Sequence, residues 1–171
     1  MGYAGGDLLE PTYHNLATHA EAIQLDYDPS ILSYESMLEL FFQSHRPVGG
    51  MRSTQYRSAI FCENDAEIAV AERAKYQMEA DWQTPVSTEI AQGRTFWMAE
   101  DYHQKYRLQH TPRLMKGLQT LYPDFWDLVA SPTAMRLNAL AAGKLPPELM
   151  KEELADYGLS EALMKTIRGD E

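Results

Sequence analysis

The acidic residue best placed for chemistry is Glu21, which lies in an alternating segment from His19 to Tyr27. A β-strand puts every second side chain on one face, so this segment would place Glu21 beside Ile23 and Leu25. A carboxyl group on an apolar face favours its protonated form, and a general acid near neutral pH must hold that proton before giving it up. A second interpretation stays open, in which Glu21 lies at the wet end of the strand and pairs with an arginine.

Two tyrosines are candidates for the wall of a binding pocket. Tyr13, in PTYHN, and Tyr56, in TQYRS, both lie in predicted loops beside sheet edges. A phenol offers an apolar ring and a hydroxyl donor at once, so either residue could line a pocket and hydrogen-bond a ligand. Since the chain holds 10 tyrosines, ordinary packing of a loop is the competing explanation for each.

The chain contains 1 cysteine, Cys62, which excludes an internal disulfide and a site built from several thiolates. A nucleophilic thiol needs exposure and a nearby positive charge or helix N-terminus. Cys62 ends the segment RSAIFC and shares a face with Ile60, so we expect a buried structural cysteine, with catalysis by Cys62 as the alternative. The 5 histidines show no HxH or HxxxH spacing, and we predict no metal site.

Composition and charge narrow the class of protein. With 171 residues, 44% of them hydrophobic and 23% charged, the chain is long enough for one folded domain with an appendage. Its net charge of -10 repels phosphate backbones and anionic lipid surfaces, so nucleic acid and membranes are not expected as partners. Neither a membrane-spanning run nor a signal peptide is visible, and we predict a cytoplasmic protein.

Strands and helices, which must position these side chains, are predicted to alternate along the first two-thirds of the chain. Residues 2–17, rich in glycine and proline, predict a loop. Helices with the N-caps Ser33 and Asn64 are predicted between three strands. The predicted strands are His19–Tyr27, Arg57–Cys62 and Val86–Ile90, and the predicted helices are Ser33–His45 and Asn64–Asp81. This order predicts an α/β fold, of the two-layer α+β kind, in which helices pack on one small mixed sheet.

The rest of the sequence is helical in pattern. One helix is predicted from about Ala99 through AEDYHQKYRLQ, and further helices follow at Arg113–Leu121, Pro132–Ala142, Pro147–Tyr157 and Ser160–Arg168. We therefore divide the chain into a domain over residues 1–110 and a helical C-terminal extension over residues 111–171 that packs on it.

Several segments read together resemble the A-type peptide methionine sulfoxide reductases. They are GYAGG, PTYHN, THAEAIQLDYDP, SYESMLELFFQSH, TQYRSAIF, TEIA and AEDYHQKY, in that order between Gly2 and Tyr106. The helical tail with RLNALAAG is similar to the extension that some animal-like members carry. The resemblance implies a peptide-methionine (S)-S-oxide reductase that repairs oxidised methionine, free or in proteins. It also implies thioredoxin or another external thiol as the reductant and no bound cofactor.

The resemblance gives the candidate residues their roles. In the family, a cysteine in a Gly-Cys-Phe-Trp motif attacks the sulfoxide sulfur, and a glutamate in the motif that matches HAEA donates a proton to the sulfoxide oxygen. Glu21 matches that glutamate. Tyr13 and Tyr56 match two tyrosines that help to bind the sulfoxide. Methionine sulfoxide in proteins or peptides and a thioredoxin-like reductant are the implied partners.

The sequence departs from the family pattern at its start. The Gly-Cys-Phe-Trp segment should precede GYAGG, where this chain begins, so we expect an N-terminally truncated domain that lacks its nucleophile and is inactive as given. A misassigned start codon at Met1 and a true loss of the segment would both explain this. The Gly-Asn-Asp stretch that is common before the second tyrosine is also missing from GGMRSTQYRS. The alternative function is a non-catalytic module that recognises sulfoxides or binds a partner protein.

Overall fold

The computed structural model describes residues 1–50, 53–93, 95–146, 148–149 and 157–168. The chain forms two compact units, Met1–Glu100 and Asp101–Glu171. The first combines short strands with long helices and the second is helical, which confirms the predicted α/β class with a helical C-terminal part. The two domains predicted at 1–110 and 111–171, and their packing, stay predictions. Most of the predicted helix Pro147–Tyr157 lies outside the described residues.

The strands of the first unit lie in two separate sheets. β1 (Gly2–Ala4) lies between β2 (Ala20–Ala22) and β5 (Trp97–Met98) and pairs antiparallel with both. β3 (Ala59–Cys62) and β4 (Glu89–Gln92) form a parallel pair. The prediction that three consecutive strands share one sheet was therefore wrong, because β2 pairs with β1 rather than with β3. The third predicted strand corresponds to β4, which begins at Glu89 rather than at the predicted Val86.

The predicted opening loop contains the central strand of the antiparallel sheet. All three residues of β1 are buried. A Cβ atom at Gly2 would collide with the ring of Phe96 and the carbonyl oxygen of Trp97, so only glycine allows the backbones to approach this closely. The chain leaves the strand at Gly5, whose φ of +80° favours glycine. Gly2 was misread as a loop residue because its fit depends on Phe96 and Trp97, which are distant in the sequence.

The predicted strand His19–Tyr27 is much shorter in the structure. Its ladder with β1 ends at the pair of Gly2 and Ala22, and the residues that follow have no strand partner in the described part of the chain. Ile23 and Leu25 are accordingly 67% and 52% exposed. The apolar face that predicted a protonated Glu21 is thus not buried, and alternation alone did not reveal where the pairing partner ends.

Two helices pack beside the parallel pair, as the sequence predicts. α1 (Tyr34–His45) begins at Ser33, whose hydroxyl accepts the Ser36 N–H at 3.1 Å. α2 (Asp65–Trp82) begins at Asn64, whose side chain accepts the Glu67 N–H at 3.0 Å. Each side-chain cap satisfies a backbone donor that the first turn of a helix leaves unpaired. A buried cluster joins the two helices to β3; its fully buried members are Leu38, Cys62 and Ala71.

The second unit is built from short helices around a leucine-rich core. After a 3₁₀ turn at Asp101–His103 come α3 (Tyr106–Gln109), α4 (Pro112–Leu121), α5 (Phe125–Ala130), α6 (Pro132–Ala141) and α7 (Glu161–Arg168). The single helix predicted from Ala99 is wrong, because Lys105 has a left-handed φ of 47° that interrupts it. The sequence analysis missed α5, which begins at the N-cap Asp124. No helix in the described ranges is long and apolar enough to cross a membrane.

Replacing Asn64 by alanine should lower the free energy of unfolding by about 1 kcal/mol, because alanine leaves the Glu67 N–H without its acceptor. Urea unfolding followed by circular dichroism measures the change. Gln77→Ala, at an exposed position within α2, is the matched control and should alter stability by less than about 0.5 kcal/mol. An equal loss in both variants would contradict the capping role.

Candidate active site

The structure brings the three predicted site residues, Glu21, Tyr13 and Tyr56, together in the first unit. Hydrogen bonding to Tyr13 raises the pKa of Tyr56, and the negative charge of Glu21 raises it further. The two phenols remain accessible, with Tyr13 36% and Tyr56 62% exposed. We call this group the acid–tyrosine site. It offers hydroxyl donors and a carboxyl group to a polar ligand at the protein surface.

Glu21 is held from both its backbone and its side chain by the residue before Tyr56. The Glu21 N–H donates to the carbonyl oxygen of Gln55 at 2.9 Å, and the Gln55 amide nitrogen donates to the Glu21 carboxylate at 2.5 Å. These bonds join β2 to the loop that carries Tyr56. Glu21 is half-buried and its carboxylate binds a neutral amide, whereas the sequence had left open an arginine partner.

Arg57 anchors the other side of the same loop. Its Nη1 donates to the carbonyl oxygens of Thr18, at 3.0 Å, and Thr54, at 2.8 Å. Its Nε donates to the Glu89 carboxylate at 2.8 Å, and its side chain is only 8% exposed. The guanidinium thus joins three chain segments through charge-assisted bonds, which fixes the loop on both sides of Tyr56.

A cavity of about 650 Å³ lies next to this anchor. Its lining combines the charged side chains of Arg57 and Glu89 with the ring of Phe61 and with Thr18 and Thr54. The three residues of the acid–tyrosine site are not among its lining residues. The cavity is therefore bounded by the residues that hold the Tyr56 loop rather than by the phenols themselves.

Tyr13 lies in a tight turn that a second carboxylate supports. Thr12 and Asn15 exchange backbone hydrogen bonds at 2.9 and 3.2 Å, which leaves Tyr13 near the tip of the turn. The Tyr13 N–H donates to Glu100 at 3.0 Å, and the other oxygen of that carboxylate accepts the Tyr3 hydroxyl at 2.6 Å. The sequence analysis missed Glu100 because it lies 87 residues from Tyr13.

His19 is a second residue whose role in this region the sequence did not reveal. It is fully buried, and its Nε2 lies 2.8 Å from the carbonyl oxygen of Leu8. A carbonyl oxygen only accepts, so Nε2 carries a proton, while Nδ1 accepts the Gly6 N–H at 3.2 Å. The imidazole is thus neutral and joins the Gly6 loop to the start of β2. The feature of the sequence that could have indicated this role is the position of His19, two residues before Glu21.

Cys62 lies in an environment unsuited to nucleophilic attack. It is fully buried, and burial raises the pKa of its thiol, while the Tyr34 hydroxyl at 3.5 Å opposes that rise. Burial therefore reduces both access to the thiol and its thiolate fraction. Within the described ranges, no group of three His, Cys, Asp or Glu side chains could hold a metal ion.

Comparison with known proteins decides the family. The family model for peptide methionine sulfoxide reductase matches residues 1–121, which include every residue of the acid–tyrosine site. The chain belongs to this family.

Curated members of the reductase family align over most of the chain. Peptide methionine sulfoxide reductase A5 of Arabidopsis thaliana is 37% identical over 88% of this chain and 61% of its own length. A Drosophila melanogaster peptide methionine sulfoxide reductase is 36% identical over 94% of this chain and 65% of its own length. These alignments reach beyond residue 121, into the helical part. The chain spans about three-fifths of the length of these relatives.

Two solved structures have a similar fold. The crystal structure of reduced Mxr1 from Saccharomyces cerevisiae matches with a TM-score of 0.59 and 28% identity, over 66% of this chain and 70% of that one. Methionine sulfoxide reductase A of Corynebacterium diphtheriae matches with a TM-score of 0.54, also at 28% identity. The second match supports the predicted membership of the A-type reductases.

The pKa of Tyr56 should fall in both Tyr13→Phe and Glu21→Gln, because each substitution removes a group that raises it. NMR spectra of tyrosines labelled with ¹³C in the ring, recorded against pH, follow this residue directly. Tyr76→Phe changes a phenol that is 73% exposed on α2 and should leave the Tyr56 titration unchanged. An unaltered Tyr56 pKa in both site variants would show that the three groups do not interact in solution.

Cys62 should react with iodoacetamide several-fold more slowly in the folded protein than in guanidinium chloride, because burial limits access to the thiol and raises its pKa. Mass spectrometry measures the two rates at one pH. Equal rates would mean that the thiol is accessible, and Cys62 would again be a candidate nucleophile.

Proposed function

We propose that this chain carries the sulfoxide-binding and proton-donating side of a peptide-methionine (S)-S-oxide reductase site. The observation that carries the proposal is the convergence of the acid–tyrosine site within a chain of this family. A sulfoxide oxygen is a strong acceptor, so phenol hydroxyls suit it, whereas a thioether has only a weakly accepting sulfur. Tyr13 and Tyr56 therefore bind the oxygen that distinguishes methionine sulfoxide from methionine.

Glu21 supplies the proton of the reaction in this proposal. A thiolate attacks the sulfoxide sulfur and forms a sulfur–sulfur bond while the oxygen takes up a proton. The sulfur–oxygen bond of the substrate and the new sulfur–sulfur bond then break as the oxygen is transferred to the thiol sulfur, which becomes a sulfenic acid, and methionine is released. The departing oxygen needs one proton, which Glu21 donates. A thioredoxin-like protein or another external thiol then reduces the sulfenic acid, so no bound cofactor is needed. The substrates are methionine sulfoxides in proteins or as free amino acid, which makes the reaction a repair of oxidative damage.

Cys62 does not fit the role of the attacking thiolate. It lies in the buried cluster between α1, α2 and β3, and its burial disfavours the thiolate. We infer that the 171-residue polypeptide on its own binds a sulfoxide without reducing it. The same observation favours the alternative function, a non-catalytic module that recognises sulfoxides.

The polypeptide should bind N-acetyl-methionine S-sulfoxide methylamide more tightly than the corresponding thioether. Replacing Tyr56 by phenylalanine should weaken sulfoxide binding by about fivefold, the value of one lost hydrogen bond, and leave thioether binding unchanged. NMR titration measures both affinities, with Tyr76→Phe as the control. Equal affinities for the two compounds in the unmodified polypeptide would refute the proposed recognition.

Incubation with an S-sulfoxide substrate and dithiothreitol should give no more thioether than the reaction without protein, because the buried thiol cannot reach the sulfur. Chromatography of the products measures turnover, and Cys62→Ser should behave in the same way. Thiol-dependent turnover that disappears in Cys62→Ser would make Cys62 the nucleophile and contradict this proposal.

A further inference from the structure

Glu100 uses both oxygens of one carboxylate to connect the Tyr13 turn to the central strand. Oε2 accepts the hydroxyl of Tyr3, a β1 residue only 1% exposed, at 2.6 Å. Oε1 accepts the Tyr13 N–H at 3.0 Å. Tyr3 is immobilised in the core of the first unit, so its hydroxyl fixes the Glu100 carboxylate. The carboxylate in turn holds the Tyr13 turn in place, although that turn is otherwise exposed.

The same strand also fixes Glu21. In the antiparallel ladder, Tyr3 lies directly opposite Glu21, and directly opposed side chains of such a pair share a face of the sheet. A path of strand pairing and side-chain hydrogen bonds therefore runs from β2, which carries Glu21, through β1 and Glu100 to Tyr13. Along this path the distance between the proton donor and the Tyr13 phenol is set by secondary structure rather than by a free loop.

A carboxylate suits this position because both of its oxygens accept hydrogen bonds. It faces two donors, a hydroxyl and a backbone N–H, and an ionised carboxylate is purely an acceptor. Glutamine has nearly the same shape but replaces one acceptor oxygen by an amide that donates. If the amide nitrogen faces Tyr13, the Tyr13 N–H loses its acceptor. If it faces Tyr3, the hydroxyl can turn to accept from it, and the Tyr13 N–H keeps only a neutral acceptor in place of a charged one. Either arrangement weakens the hold on the turn, because charge-assisted hydrogen bonds are stronger than neutral ones.

We propose that Glu100 is a positioning residue for sulfoxide recognition, which it serves by holding Tyr13 in register with Glu21. This role rests on the proposed function of the acid–tyrosine site. Glu100 itself binds no substrate in this proposal; its effect passes through the Tyr13 backbone.

The experiment compares Glu100→Gln with the unmodified chain by two readouts. The first needs no ligand: the Tyr13 amide should shift in the ¹⁵N–¹H spectrum and exchange with solvent several-fold faster, because its charge-assisted bond to the carboxylate is lost or becomes a weaker neutral one. The second is the ratio of sulfoxide to thioether affinity, which should fall by roughly three- to tenfold. Glu35→Gln, at an exposed position in the first turn of α1, is the matched control and should leave both readouts unchanged.

Two further variants separate positioning from a general loss of structure. Tyr3→Phe keeps the buried ring and removes only the hydroxyl, and it should reproduce the lower affinity ratio with an unchanged circular dichroism spectrum. In a Tyr13→Phe background, Glu100→Gln should have little further effect on the ratio, since its action passes through the missing phenol. Additive effects of the two substitutions would overturn the proposal.

The remaining outcomes also discriminate. If the unmodified chain prefers the sulfoxide and Glu100→Gln keeps both the preference and the Tyr13 amide signal, the role of Glu100 is overturned while the proposed function stands. If the unmodified chain binds both compounds equally, the proposed function fails, and the role of Glu100 in sulfoxide recognition fails with it. A shifted Tyr13 amide with an unchanged affinity ratio would reduce Glu100 to a structural residue.

Discussion

The pairing of Tyr3 with Glu21 across β1 and β2 sets the geometry of the first unit. β1 has only three residues, yet it is paired on both sides and fully buried. It therefore fixes the positions of the residues that are attached to it. Glu21 is attached through the ladder, and Tyr13 through Glu100. The fit of β1 between its neighbours depends on glycine, because a Cβ atom at Gly2 would force the strands apart.

The Tyr56 loop is attached to the same frame by a different chemistry. None of its described residues, 53–57, lies in a strand. Instead, Gln55 exchanges two hydrogen bonds with Glu21, and Arg57 binds two backbone carbonyls and the Glu89 carboxylate. The bonds from a nearly buried guanidinium are directional and charge-assisted, so they hold an irregular loop where strand pairing cannot. The acid–tyrosine site thus combines a residue on a strand with two in loops whose backbones are fixed by side chains.

Local signals in the sequence predicted the local features of the structure. Ser33 and Asn64 were recognised as helix caps because a cap depends on residues three positions away. Glu21, Tyr13 and Tyr56 could be named as candidates because their motifs are compact. The length of β2 could not be predicted, since it depends on a partner strand in another part of the chain. Glu100 was missed because its partners lie 87 and 97 residues away, and His19 because its partners, 11 and 13 residues before it, lie in a segment without a regular pattern.

The bond between Tyr13 and Glu100 spans 87 residues, whereas the helix caps close within a single turn. During synthesis, α1 and α2 can therefore form while the ribosome is still adding residues, but the support for Tyr13 is absent until Glu100 has left the exit tunnel. Contacts so distant in sequence also carry a large entropic cost of loop closure and form late. A nascent chain stalled before residue 100 would display helices and both tyrosines without the geometry that makes them a site.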